Sequence, residues 1–280
     1  SAASDVYKRQ ILYILFFILP LFQTIGYSFT DYNGINPKKE FTGLTNYFDV
    51  FQDKWFYNSM AFTGKSVLLM ILLANVLGFL LALALNTKIR SRNILRAIVF
   101  CPFVFNNVTV GFIWQFLLGR FMTDLYPLTG WKVFNIGWLS DNSLVLYSVV
   151  FVKLWQSIGY FMVIYLAGLQ LLPQDPLEAA VIDGCTGIKM IRYITIPLMK
   201  PTAFVCIFLA ITESLNMFPL IMSLTNGGPG HASENISLYI YNEAFKSHRM
   251  GYASALAVIL TIIMTIIAGL QMKLTREDAG

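Results

Sequence analysis

Six apolar runs, at roughly 11–30, 60–86, 97–118, 144–170, 202–224 and 253–272, dominate this 280-residue chain. Each is long enough to cross a bilayer, which takes about 20 apolar residues. The stretches "VLLMILLANVLGFLLALAL" in the second run and "ALAVILTIIMTIIAGL" in the last carry no charge. Inside lipid a segment must satisfy its own backbone hydrogen bonds, so runs of this length read as α-helices. Only 12% of the residues are charged, against about 25% in soluble domains, and the mean hydropathy is +0.63. The expected fold class is therefore an all-α integral membrane protein with six transmembrane helices.

Charge placement suggests an orientation. An even number of spans puts both termini on one side. With that side cytoplasmic, segments 1–10, 87–96, 171–200 and 273–280 hold 11 Lys and Arg in 58 residues, and segments 31–59, 119–143 and 225–251 hold 7 in 81. The inner density is about twice the outer, as the positive-inside rule expects. The net charge of +5 needs no nucleic-acid partner, since no basic run is present. Cys101, Cys185 and Cys206 are odd in number and far apart, which argues against a disulfide framework or a metal site. The opening "SAASDVYKRQ" joins abruptly to "ILYILFFILP", with no initiator methionine and no signal-peptide layout. Residues 1–10 are expected to be a non-native or disordered N-terminus, leaving 11–280 as one transmembrane domain.

One polar insert interrupts the apolar pattern: "PQDPLEAAVIDGCTGIKMIRYITIPLMKP", Pro173 to Pro201, between the fourth and fifth runs. Asp175 is placed to cap a short helix, with Pro176 at its first position and Glu178 three residues after the cap, a capping-box layout. Leu177, Ala180 and Val181 share a face, and Gly184 is placed to end the helix. A second pattern aligns Ile188, Ile191 and Thr195 until Pro197 stops it. Spacing alone leaves two readings open, a compact knob that meets a partner or an interfacial helix on lipid headgroups.

The residues "EAAVIDGCTGIKMIRYITIPLMKP" closely resemble the EAA signature of ABC importer permeases. Glu178, Ala179, Ala180, Asp183, Gly184, Ile194 and Pro197 fall at that family's spacing, and Cys185 stands where alanine is common. "SLTNGGPGHASENISLYIYNEAF", followed by "GYASALAVIL", is similar to an outer loop of the carbohydrate-type subfamily, which includes the first maltose permease and glycerol-phosphate permeases. "SFTDYNG" with "FTGLTNYFDVF" is a third match, and the resemblance spans residues 20–272. It implies that a longer apolar segment precedes Pro20, in keeping with a truncated start. It also implies that the 173–201 loop is a cytoplasmic coupling loop seated on a separate ATPase subunit. On that account Glu178, Ala179, Ala180, Asp183, Gly184 and Pro197 couple the ATPase to the spans. The implied partners are a second permease, two copies of the ATPase subunit and an extracytoplasmic solute-binding protein, in a bacterial inner membrane.

Other motifs read differently. "TGKS" at 63–66 lacks the first glycine of a phosphate loop, since Ser59 stands there, and it lies on a span instead of following a strand. "NGGPG", Asn226, Gly227, Gly228, Pro229 and Gly230, follows a span on the outer face, which suits a tight loop meeting the binding protein better than a phosphate cradle. Its neighbour Ser233 is expected to be accessible from outside. His231 and His248 have no ligand cluster around them in sequence. No cofactor or metal is expected, and no nucleophile–base set marks an enzyme.

Ionisable groups deep in spans are costly and therefore informative. Lys153, Gln156, Ser157 and Tyr160 repeat at i, i+3, i+4 and i+7 on the fourth span, and Glu213 and Asn216 share a face of the fifth. They are either interhelical bonds that fix packing or the lining of a path for a hydroxyl-rich solute. The expected function is the permease subunit of an ATP-driven, binding-protein-dependent importer of sugars or oligosaccharides, working by alternating access. The alternatives are a glycerol-phosphate importer of the same class and an ATP-independent secondary transporter.

Overall fold

In the computed structural model, residues 2–87 and 90–277 are described. Among them the chain is helical, and the only β feature is a single bridge between Thr30 and Phe41. Helix α1 runs from Ala2 through a wide π turn at Ile14–Ile18 to Tyr27, and Arg9–Tyr27 is apolar enough to span. The helix begins at Ala2. The next helices are α2 (Thr45–Gln52), α3 (Lys54–Leu85), α4 (Arg92–Val104), α5 (Asn107–Thr129) and α6 (Val145–Gln170). They are followed by α7 (Gln174–Ile182), α8 (Ile188–Leu198), α9 (Lys200–Leu215), α10 (Phe218–Leu224), α11 (Ile236–Tyr241) and α12 (Met250–Glu277).

Four helices are long and apolar enough to cross a membrane, or up to six if each of two bent pairs counts as one span. Two of the six expected spans, 97–118 and 202–224, fall on stretches where the helix is broken. The run 97–118 is broken between α4 and α5 by a bend of 94°. Phe105 and Asn106 are extended there, Pro102 lies in a tight 3₁₀ turn, and the Asn106 side chain caps α5 by accepting the Val108 N–H at 2.8 Å. The run 202–224 also divides: α9 meets α8 at a 71° bend and stops at Leu215, and α10 starts afresh with Pro219 in its first turn.

The chain forms two compact units, Ser1–Asn58 with Ile236–Leu270 and Ser59–Asn235 with Gln271–Gly280. In the second unit α6 is the central element, with 67% of its apolar window buried. Small residues let its neighbours approach closely, as in other membrane helix packings. A Cβ on Gly159 would strike the backbone of Val99 and Phe100, and one on Gly168 would lie 2.5 Å from Thr202 Oγ1. On the facing helix, a Cβ on Gly78 would sit 2.8 Å from Phe161 Cβ.

The first unit is tied by polar bonds. Asp53, between α2 and α3, accepts hydroxyl hydrogen bonds from Tyr239 and, at 2.5 Å, from Tyr252, and its other oxygen takes the Trp55 N–H at 2.8 Å. Burial pushes the Asp53 carboxyl up, but these hydrogen bonds outweigh it and hold the group below the usual value of 3.8. Burial, and then the bond to Asp53, push the Tyr239 hydroxyl far above its ordinary range, so it stays a donor. A depressed carboxyl stabilises the fold above its unfolded pKa, and that contribution is lost as pH falls through the folded value. Asp53→Asn should therefore lower stability at pH 7 by about 1–3 kcal/mol. The gap to wild type should close below pH 3.8 in thermal unfolding of the detergent-solubilised protein.

Candidate coupling loop and polar stripe

The 173–201 loop folds as an exposed helical knob. The N-cap of α7 lies two residues before the expected one, with Pro173 extended at that position and no side chain capping the helix. The predicted capping box is thus not formed: Asp175 lies in the first turn, where a negative charge suits the helix dipole, and Glu178 is exposed. Gly184 does end the helix. Its φ is +76°, the Gly184 N–H reaches the Val181 carbonyl at 3.0 Å, and the Cys185 N–H reaches Ala180 at 2.8 Å. These two bonds are a Schellman closure.

Leu177 and Ala180 turn inward, whereas Val181, predicted on their face, is 55% exposed. With Ile182 at 85% and Ile188 at 82%, it makes an apolar patch around the glycine turn. Ala179 and Asp183 are exposed beside it. The second helix ends at Leu198, one residue after Pro197, which sits in the short turn Ile196–Leu198 that follows a π turn at Ile191–Thr195. Proline is tolerated at a first helical position, and the chain breaks two residues later at buried Met199.

Within the second unit, the predicted stripe is partly assembled. Lys153 Nζ lies 2.6 Å from Glu213 Oε2, with side-chain exposures of 3% and 25%, joining α6 to α9. The same ammonium reaches Asn107 Oδ1 at 3.5 Å, at the start of α5. Gln156 donates to the Phe105 carbonyl at 2.9 Å, a group freed by the helix break, while its own carbonyl oxygen is buried with no hydrogen-bond partner among the described residues. The Ser157 hydroxyl turns back to the Lys153 carbonyl at 2.8 Å. Tyr160 stacks on Phe103, ring centres 4.6 Å apart and planes within 1°. Asn216, at the end of α9, is exposed, and among the described residues no bond joins it to the stripe. The sequence reading missed Phe103, Phe105 and Asn107; the signal was "PFVFNN", a proline followed by a helix-capping asparagine pair.

The glycine-rich 226–234 loop is more tightly built than its composition suggests. Asn226, Gly227, Gly230 and His231 all have positive φ, and the Gly228–Pro229 peptide is cis. The Ser233 hydroxyl donates to the Gly228 carbonyl at 2.5 Å and pairs with Thr225 Oγ1 at 2.7 Å, and His231 Nδ1 lies 2.5 Å from buried Glu234. Ser233, expected to be accessible, is fully buried by these bonds, and the accessible positions are Asn226, Gly230 and His231.

Residues 74–276 match the family model of the binding-protein-dependent transport system inner membrane component. The chain is 36% identical over 266 residues to the "Probable starch degradation products transport system permease protein AmyD" of Thermoanaerobacterium thermosulfurigenes, covering 94% of this chain and 90% of the relative. It is 34% identical to the multiple sugar-binding transport system permease protein of Streptococcus mutans, covering 95% and 92%. The crystal structure of a bacterial ABC transporter involved in import of the acidic polysaccharide alginate superposes with a TM-score of 0.83, at 21% identity, over 99% of this chain and 95% of that one. Fold, family match and relatives agree, and the chain belongs to the binding-protein-dependent transport system inner membrane components, as a multi-pass permease subunit and not an enzyme.

Proposed function

We propose that this permease forms one half of the membrane pathway of an ATP-driven importer of sugars or oligosaccharides. The observation that carries the reading is the exposed knob 173–201, an apolar patch held around Gly184 in a family defined by dependence on a binding protein. Val181, Ile182 and Ile188 stand out from the chain, and apolar side chains so presented fit a cleft in another subunit. A second permease completes the pathway, two copies of an ATPase subunit seat the knobs, and an extracytoplasmic binding protein delivers solute to the loop around Asn226–Gly230. ATPase closure, transmitted through Glu178, Ala179, Ala180, Asp183, Gly184 and Pro197, opens the path outward, and hydrolysis resets it.

The sugar assignment draws on the relatives, permeases for starch degradation products and for multiple sugars, and on the stripe. Lys153 is already compensated by Glu213, so the pair offers a neutral face to the solute. A phosphate ester would have to draw Lys153 away and leave Glu213 unpaired, which is unfavourable at a buried site. This favours an uncharged carbohydrate over a glycerol phosphate. Gln156, Tyr160 and Asn216 are the groups offered to its hydroxyls and ring faces.

Orientation supplies the test, because the knob must face the cytoplasm to meet an ATPase. Thr186 and His231 are both exposed. Single cysteines would be placed there in a background without Cys101, Cys185 and Cys206. In intact cells the residue-231 cysteine should react with an impermeant thiol reagent and the residue-186 cysteine should not. In inside-out vesicles stripped of the ATPase, the residue-186 cysteine should react. Labelling of residue 186 but not residue 231 from outside would remove the basis for coupling.

A further inference from the structure

We propose that α2 is an interfacial anchor, lying in the membrane plane with Leu44, Phe48 and Phe51 among the lipids of the leaflet that α3 enters. The helix has three distinct faces, separated by its 3.6-residue period. The inner face is Asn46, Tyr47 and Val50. Asn46 Nδ2 donates to the Ser28 and Thr30 carbonyls, both at 2.9 Å, the Tyr47 hydroxyl is 2.7 Å from Ser28 Oγ, and Val50 is fully buried. The second face is apolar and open: Leu44, Phe48 and Phe51 fall at i, i+4 and i+7 and are 55%, 64% and 57% exposed. The third, Thr45, Asp49 and Gln52 at the same spacing, is polar and exposed. A helix fixed to the flank of a membrane protein at the water boundary has three surroundings, protein, lipid and water, and α2 offers one face to each.

The occupant of the apolar face is lipid because of where the chain goes next. Asp53 alone separates α2 from α3, a 32-residue helix whose hydropathy is the highest of the spans. The first turn of α3 exposes Trp55 and Tyr57, aromatic residues of the kind that sit at the level of the headgroups. Exposed Lys54 at the junction can reach headgroup phosphates while its stem stays apolar. The stripe on α2 thus runs up to the first turn of α3, where the Phe51 and Phe56 ring centres lie 6.5 Å apart. Its bonds to Ser28 and Thr30 would carry that anchorage to the end of α1.

The test uses the complete transporter in nanodiscs of phosphatidylethanolamine and phosphatidylglycerol, with Cys101, Cys185 and Cys206 replaced. A nitroxide is attached to Phe48→Cys or to Asp49→Cys, and its collisions with oxygen, which concentrates in lipid, and with a water-soluble nickel chelate are measured. The oxygen-to-nickel ratio should be several-fold higher at residue 48 than at residue 49. Equal ratios would put the face in water, and protection of residue 48 from both reagents would put it under a protein partner. Either result overturns the proposal. If Phe48→Cys fails to assemble, Leu44→Cys carries the same expectation.

Discussion

Gly184→Val should abolish solute uptake while leaving the permease inserted and its spans intact. A Cβ at Gly184 meets nothing within 4 Å, so the damage does not come from a clash inside the chain. It comes from the backbone: φ is +76°, and a left-handed conformation costs an L-residue about 1–2 kcal/mol, more for a β-branched one. The chain escapes that strain by opening the Schellman closure, which moves Ile182 and Ile188 apart and spoils the apolar patch. Asparagine tolerates this conformation, so Gly184→Asn should keep most of the uptake. Binding-protein-stimulated ATP hydrolysis and uptake, measured on equal amounts of membrane-inserted permease, distinguish these outcomes. Normal uptake in Gly184→Val would remove the knob from the coupling path.

Lys153→Met should have the largest effect on assembly. It strands Glu213 beside the void of a lysine that is only 3% exposed, and breaking a buried pair costs about 3–5 kcal/mol. Glu213 is a quarter exposed, which puts the expected loss at the lower end of that range. Replacing both partners with apolar residues is often neutral, so Lys153→Met with Glu213→Leu should recover the amount of assembled complex. Transport then separates the two roles of the stripe. If it only fixes packing, the double variant transports normally. If it lines the path, the double variant assembles but imports poorly, and Gln156→Leu does the same.

Much of this architecture was legible in the chain because lipid imposes a simple rule on backbone polar groups. The run 144–170 is α6 within one residue, and the second run, 60–86, lies inside α3 apart from its last residue. Gly184 was readable as a helix end because few residues adopt its φ. What escaped were places where two local signals compete. Pro102 and Asn106 break an otherwise apolar run, yet hydropathy averages over them. Asp175 has the chemistry of a cap, but the extended Pro173 had already started the helix. At the stripe, spacing placed Lys153, Gln156 and Tyr160 on one face, and the pair with Glu213 followed from the cost of burying either alone. Their other partners, Asn107, Phe105 and Phe103, come from the helix break at Pro102 and Asn106 that hydropathy averages over. Ser233 failed for a related reason: a loop rich in glycine looks open in sequence, but its hydroxyl is the bond that closes it.

The energy source is the most direct test of the account. The permease, its partner permease and the ATPase are reconstituted in liposomes, the solute-binding protein is supplied outside with labelled oligosaccharide, and ATP is enclosed. Uptake should require both the enclosed ATP and the binding protein, and should be unchanged when ionophores collapse ion gradients. Uptake that proceeds without ATP and disappears with the gradient would contradict it.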